Sequence, residues 1–327
     1  LLSAPHTCDN VGYNMLDNVT LNIGGQQIDK LYGHWMETWA ELTEPNSNGF
    51  VASPLGITLG NGDNSVTDFN SPSIGQIRSN ASVRGSKFQR MACAGGVCKT
   101  DGVFAFSTTN DQAVSTSTPN STPTGTVLTK INVPLPFSFC RNIGISLPII
   151  ALQYHEVNVE LKLTSQPNII GEVVNNHKLW VDYIYLDTEE RRRFAQVSHE
   201  YLIEQVQYES FTDTGLIKTL NFNHPIKELV FTGARNSDSL TPVSLHQHNG
   251  DNGISSLKLT LNGQDRFAER HAYYFTRTQI WEHHTGFGGV TSRDSIGVYS
   301  FALRPEEHQP SGSCNFSRID VAQIVLG

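Results

Sequence analysis

Apolar residues recur at every second position through most of this chain, in short runs divided by polar turns. Val19, Leu21 and Ile23 alternate with Thr20 and Asn22 and stop at Gly24-Gly25. That pattern predicts a half-buried strand ending in a tight turn. From Gln26 to Leu42 the period changes. Ile28, Leu31, Trp35, Trp39 and Leu42 recur at threes and fours, which predicts an amphipathic helix over 26–42. Its two tryptophans read as a core stripe.

Strand signals return at 130–140, where Pro134 and Pro136 at alternate positions suit an edge strand. They continue at 151–163, with Val157, Val159, Leu161 and Leu163 on one face, and at 178–186, with Leu179, Val181, Tyr183 and Tyr185. Further strands are predicted at 201–211, 220–232, 257–261, 298–303 and 318–326. The 257–261 run enters Asn262-Gly263, a strong hairpin signal. The elements add up to an all-β chain with helices only at 26–42 and 188–197.

The second helix lies in the most charged stretch of the sequence. Asp187 or Thr188 is placed to cap it, and Glu190, three residues after Asp187, gives a box-like start. Arg191, Arg192, Arg193 and Phe194 follow. The reading is a polar joint over 188–198 between two β units, with the arginines on a solvated face.

Residues 45–128 have a different texture. These 84 positions hold nine charged residues, much Gly, Asn, Ser and Thr, and a low-complexity tract at 115–124. Such a stretch cannot bury a large core of its own, so it reads as a surface insertion whose best strand is 103–106.

Composition narrows the function classes. With 23 Lys+Arg against 31 Asp+Glu the formal net charge is −8. Direct nucleic-acid binding is therefore not expected, because it needs clustered positive charge. Five scattered cysteines do not make a disulfide framework and suit assembly in a reducing compartment. No Walker-type loop, H-E-x-x-H or G-x-S-x-G occurs, and the acidic residues nominate no acid/base pair, so no enzyme, cofactor or resident metal is expected.

The two halves carry a weak internal repeat. LNIGGQQ at 21–27 resembles LTLNGQD at 259–265: a strand, a glycine turn, then Gln. From Gln26 to Val133 is 73 residues longer than from Gln264 to Val298, and most of the 45–128 insertion accounts for the excess. The first unit has little sequence before its repeat motif, and the second has little after its own. The expectation is a fragment lacking early strands of unit one and late strands of unit two, with open sheet edges.

Longer blocks carry a family resemblance. GGQQIDK at 24–30, LPIIALQYHEV at 147–157, VDYIYLDTEER at 181–191, HEYLIEQ at 199–205, LNFNHP at 220–225, LNGQDR at 261–266 and QPSGSCNFSRID at 309–320 resemble the major capsid protein of nucleocytoplasmic large DNA viruses. The algal-virus and mimivirus branch is the nearest in pattern, and the insertion departs from it. The resemblance implies a tandem double jelly roll, each barrel a pair of packed antiparallel sheets. It places a first jelly roll at 1–187, the joint at 188–198 and a second jelly roll at 199–327. It further implies a homotrimeric capsomer of near-sixfold outline that tiles an icosahedral virion shell assembled in the host cytoplasm. The partners implied are further copies of the chain, neighbouring capsomers, minor capsid and penton proteins, and an internal membrane beneath the shell.

The alternative from another class is a jelly-roll carbohydrate-binding or host-attachment module acting through the 45–128 insertion. A calcium site would want clustered carboxylates, and Asp63, Asp68, Asp101 and Asp111 are dispersed. Four N-x-Ser/Thr sequons stand at Asn18, Asn80, Asn120 and Asn315. If a glycan is carried, Asn80 or Asn120 in the insertion is the expected position. His246, His248, His283 and His284 read as loop histidines rather than metal ligands, and Cys93 and Cys98 as free thiols, with a disulfide or metal clip across a hairpin as the lesser alternative.

Overall fold

The computed structural model describes residues 11–44, 87–92, 104–106, 113–115, 132–164, 177–212, 215–232, 235–236, 239–242, 255–286 and 296–327. The first described elements are a helical turn, α1 (Val11–Asn14), and the hairpin of β1 (Leu16–Ile23) and β2 (Gln26–Tyr32). Gly24 and Gly25 turn it with φ of 59° and 80°, a left-handed pair that glycine adopts without strain. Helix α2 (Gly33–Thr43) follows directly. The predicted helix over 26–42 is thus half strand. Ile28 and Leu31 do satisfy a helical spacing, but β1 offers Gln26 to Tyr32 a ladder from Ile23↔Gln26 to Asn18↔Tyr32. Sheet pairing outweighs the local period.

Within 45–128 the described pieces are α3 (Lys87–Ala92) and a small ladder of β3 (Phe104–Phe106) with β4 (Ala113–Ser115). The predicted strand at 130–140 is not one. Residues 132–137 are irregular and end in a helical turn, α4 (Ser138–Arg141). Pro134 and Pro136 bring no N–H to a ladder, while Phe137 at 2 % exposure plugs the first core. The 151–163 run is a strand only in its second part, β5 (Val157–Leu163), which pairs with β1 from Ile23↔Val157 to Leu16↔Leu163. Val19, Leu21, Leu31, Met36, Ala40 and Phe137 bury the first core against this three-stranded sheet.

Residues 177–187, where a strand was expected over 178–186, form no ladder, and Trp180, Tyr183 and Tyr185 are exposed. The joint helix α5 (Thr188–Gln196) follows where it was expected. The 201–211 run also makes no ladder. Instead its side chains bond to elements on both sides, as described below.

The second half contains β6 (Ile217–Leu220), β7 (Pro225–Ile226), β8 (Glu228–Thr232), β9 (Arg235–Asn236), β10 (Ser239–Pro242), β11 (Ser256–Leu261), β12 (Gln264–Asp265) and β13 (Arg270–His271). After a π-helical turn, Tyr274–Thr278, come α6 (Gln279–His283), β14 (Ile296–Ser300), β15 (Cys314–Asn315) and β16 (Ala322–Leu326). One sheet runs β12-β11-β16-β6, with β13 also on β11; β14 pairs with β8 and β15 with β7. Leu257, Leu259, Phe275, Phe316 and Ile324 fill its core. The helix over 274–283 was missed in the sequence. Tyr273-Tyr274-Phe275 is rich in strand-favouring aromatics, and tertiary packing overrides that preference.

The internal repeat proves deeper than its seven-residue motif. Asn262 and Gly263 turn β11 into β12 with φ of 51° and 76°, matching the first hairpin. The next partner strand lies alike in both units: Ile23 faces Val157 and Leu261 faces Ala322. Counted from Gln26 and Gln264, those partners again differ by 73 residues. The Gly24 amide donates to the Glu156 carbonyl at 2.9 Å, and the Asn262 amide to that of Val321 at 2.7 Å. A helix then follows each hairpin.

Candidate assembly site at the inter-unit junction

The joint is built from a capped, solvated helix. Asp187 precedes α5 in extended conformation, and its carboxylate accepts the Glu190 amide at 2.8 Å, the cap expected from sequence. Arg192 pairs with Glu189 one turn earlier at 3.4 Å. Thr188, Glu190, Arg191, Arg192 and Arg193 are all exposed and α5 buries no residue. At its end, the Phe194 carbonyl meets the His199 ring nitrogen at 2.8 Å, and the Phe194 ring stacks on His199 with centres 5.0 Å apart. That contact folds the chain back towards Tyr201.

Beyond the helix the chain becomes a strap between the units. Val206 packs into the first core, and its amide donates to the Asp29 carboxylate of β2 at 3.3 Å. Tyr208 lies against Tyr32, ring centres 4.7 Å apart. Gln207 and Glu209 face the other way, whereas Gln205 donates to the Ile28 carbonyl of the first unit. Gln207 accepts the Asn223 amide at 2.9 Å and donates to its carbonyl at 2.6 Å, while Glu209 accepts both the amide and side chain of Asn221. Glu204 holds one cation from each side, Arg141 at 2.8 Å and Lys227. Burial pushes the Asp29 carboxyl up from its ordinary range against the two amides and Arg141 that oppose the shift.

A second cluster locks the end of α2 to the second unit. The His284 side chain is fully buried, with Nε2 3.0 Å from Glu228 and Nδ1 3.0 Å from Glu306. Burial works against its charged form, but the two carboxylates outweigh it and lift the imidazole to about 9. Glu306 is half-buried, which works against its charged form, yet its bonds from His284 and Thr285 hold its carboxyl below the usual range. Thr285 donates its hydroxyl to the Thr43 carbonyl at 3.0 Å, and the Gly286 amide donates to Leu42 at 2.6 Å. A Cβ on Gly286 would collide with the carbonyls of Glu41 and Leu42, so the approach is open to glycine. Leu42 itself sits in a cluster with Ile280, Ile296 and Val298 of the second unit.

The sequence candidates fall as follows. Asp187, Thr188, Glu190, Arg191, Arg192, Arg193 and Phe194 share the joint helix. His284 is a satisfied core histidine, whereas His283 bonds the Leu303 carbonyl at 3.1 Å. Asn315 caps a 3₁₀ turn by accepting the Ser317 amide at 3.0 Å. Asn80, Asn120, Cys93, Cys98, His246 and His248 lie outside the described residues. Among the described residues no group of three or more His, Cys, Asp or Glu is placed to hold a metal, and no helix is long and apolar enough to cross a membrane. Sequence reasoning missed Glu204, Glu228 and Glu306, which act with partners far away in the chain.

Two like β units are thus joined by buried charge and by the strap. Comparison with known proteins gives the family. Residues 3–187 match the family described as major capsid protein N-terminus, and residues 190–327 match the large eukaryotic DNA virus major capsid protein. The major capsid protein of Pyramimonas orientalis virus is 35 % identical over 99 % of this chain and 72 % of its own length. That of Paramecium bursaria Chlorella virus 1 is 32 % identical over 95 % of this chain and 66 % of its own length. A quasi-atomic model of the PBCV-1 virus capsid superposes with a TM-score of 0.64 at 30 % identity, covering 99 % of this chain and 74 % of that one. The chain belongs to the major capsid proteins of large eukaryotic DNA viruses.

Proposed function

We propose that this chain is a shell-building subunit made of a tandem double jelly roll, with a first jelly roll at 1–187, a joint at 188–198 and a second at 199–327. Three copies form a capsomer of near-sixfold outline, and capsomers tile the faces of an icosahedral shell. The observation that carries the reading is the repeat. Each chain presents two hairpin–helix units of the same build, so three chains present six similar edges, and closed rotational symmetry is the common outcome for such contacts. Family membership supports the capsid role. Minor capsid and penton proteins, an underlying membrane and assembly in the host cytoplasm belong to the same proposal.

In this reading the joint sets the rotation between the units. A capped helix fixes that angle better than a Gly/Ser linker does. Electron microscopy of the purified protein tests the reading. Pseudo-hexagonal particles of three chains are expected, and monomers persisting at high concentration would sink it.

A further inference from the structure

The two charge clusters at the junction share neighbours in the chain. Lys227 and Glu228 are consecutive at the entrance to β8, and Glu306 and Glu307 are consecutive in the turn after β14. Glu228 and Glu306 grip His284 from its two sides, at 3.0 Å each. Lys227 Nζ reaches the Glu307 carbonyl at 2.7 Å. These contacts and the two peptide links close a ring, His284–Glu228–Lys227–Glu307–Glu306. The Lys227 carbonyl braces it by accepting the Phe301 and Ala302 amides at 2.8 and 3.1 Å.

The ring faces both the strap and the end of α2. On one side Lys227 meets Glu204, which also holds Arg141, and the next turn residue, His308, meets the Leu202 carbonyl at 2.9 Å. On the other side Glu306 accepts the Thr285 amide at 2.9 Å, and Thr285 and Gly286 are bonded to the last carbonyls of α2. Bonds in a closed network support one another, because each fixes a group that its neighbour needs. One member depends on a proton: His284 donates to both carboxylates only with a hydrogen on each ring nitrogen. The charged groups facing it are Glu228 from β8 and Glu306 from the turn. From α2 it meets the Trp39 indole, which has the Arg141 guanidinium 5.0 Å from its centre, while Glu282 and His283 of its own element stand 4.0 Å from each other.

We infer that this ring is a single latch for the two units: the strap and the end of α2 come free together when one of its bonds is lost, and proton loss from His284 opens it. The latch works within one chain, whatever number of chains assembles.

Native-state hydrogen exchange of the 327-residue chain in rising urea, read by mass spectrometry, tests the latch. The Val206 amide reports the strap, the Gly286 amide the end of α2, and the β11–β16 ladder the second core. In the wild type the two reporters are expected to share one opening rate and one urea dependence, and to open at least tenfold more often than the ladder. His284→Gln and Lys227→Met are each expected to speed both reporters at least tenfold at neutral pH, although each touches one side of the ring. Wild-type reporters with different urea dependences overturn the latch without recourse to any variant, and so does a variant that speeds only the reporter on its own side. As pH rises from neutral through about 9, the reporter-to-ladder ratio should climb in the wild type and stay level in His284→Gln. A level wild-type ratio overturns control by the proton.

Discussion

The imidazole of His284 stands edge-on to the indole of Trp39, with ring planes at 89°. One residue belongs to the second β unit and the other to the helix of the first, so the contact joins the two cores. Around it, Glu228 and Glu306 occupy both ring nitrogens of His284. Replacing His284 with Ala leaves two half-buried carboxylates without their shared cation. Loss of one member of such a group costs about 3 kcal/mol. The expected outcome is a lowered denaturant midpoint, measured by tryptophan fluorescence, and an unchanged midpoint would show that the cluster adds nothing.

The same cluster sets a pH dependence. The folded-state value of His284, about 9, lies above its ordinary 6.5. Its stabilisation is therefore fully present below pH 6.5 and is lost as pH rises through about 9. Glu306 is shifted downward from 4.5, so its contribution is present above that value and is lost in more acid solution. Thermal melts across this range should show the wild type declining on the alkaline side. Comparison with His284→Gln isolates the effect, since the variant should lack that part of the decline.

Leu42 is fully buried in a cluster otherwise drawn from the second unit. Leu42→Ala should cost about 3 kcal/mol through lost burial and the cavity left behind. Gly286→Val should also destabilise, because its side chain meets the last carbonyls of α2. If equilibrium unfolding of either variant matches the wild type, the junction is looser than the structure shows.

The joint helix should behave differently. It buries nothing, so replacing 190–194 with a flexible linker should leave the melting of the β units nearly unchanged while impairing oligomer formation. Asp187→Ala removes one cap, worth about 1 kcal/mol to the helix. Sedimentation velocity provides the readout, and normal trimers from the linker variant would refute a spacing role for α5.

At the second hairpin, the Asn262 side chain accepts the amides of Asp320 and Val321 at 2.9 and 3.0 Å while its backbone sits at φ 51°. Asn262→Ala loses both bonds and strains the turn, and about 2 kcal/mol of destabilisation is expected. Asn262→Gly keeps the turn and should recover part of it. Equal urea midpoints for the two variants would show that backbone freedom is not the issue.

Turns, hairpins and the capped joint were legible in the sequence because their signals are local. The turns at Gly24-Gly25 and Asn262-Gly263 and the cap at Asp187 are set by the backbone within a few residues, whatever longer-range bonds Gly24 and Asn262 add. The strand at 26–32 was read as helix because Ile28 and Leu31 fit that period, and the deciding partner, β1, is a tertiary fact to a periodicity argument. The helix over 274–283 was hidden by its aromatics. The junction was least visible. Glu228, His284 and Glu306 stand 56 and 22 residues apart, and no local spacing marks residues that meet only after both units have folded.

Over 206–209 the strap turns Val206 and Tyr208 to the first unit and Gln207 and Glu209 to the second, and this makes chain length there matter more than chemistry. A conservative replacement at Gln207 or Tyr208 disturbs one contact. Deleting Gln207 exchanges the sides of the residues that follow, sending Tyr208 towards Asn223 and Glu209 towards Tyr32 of the first unit. Insertions and deletions are therefore shut out of this short stretch, whereas the solvated helix just before it leaves its surface residues open to change.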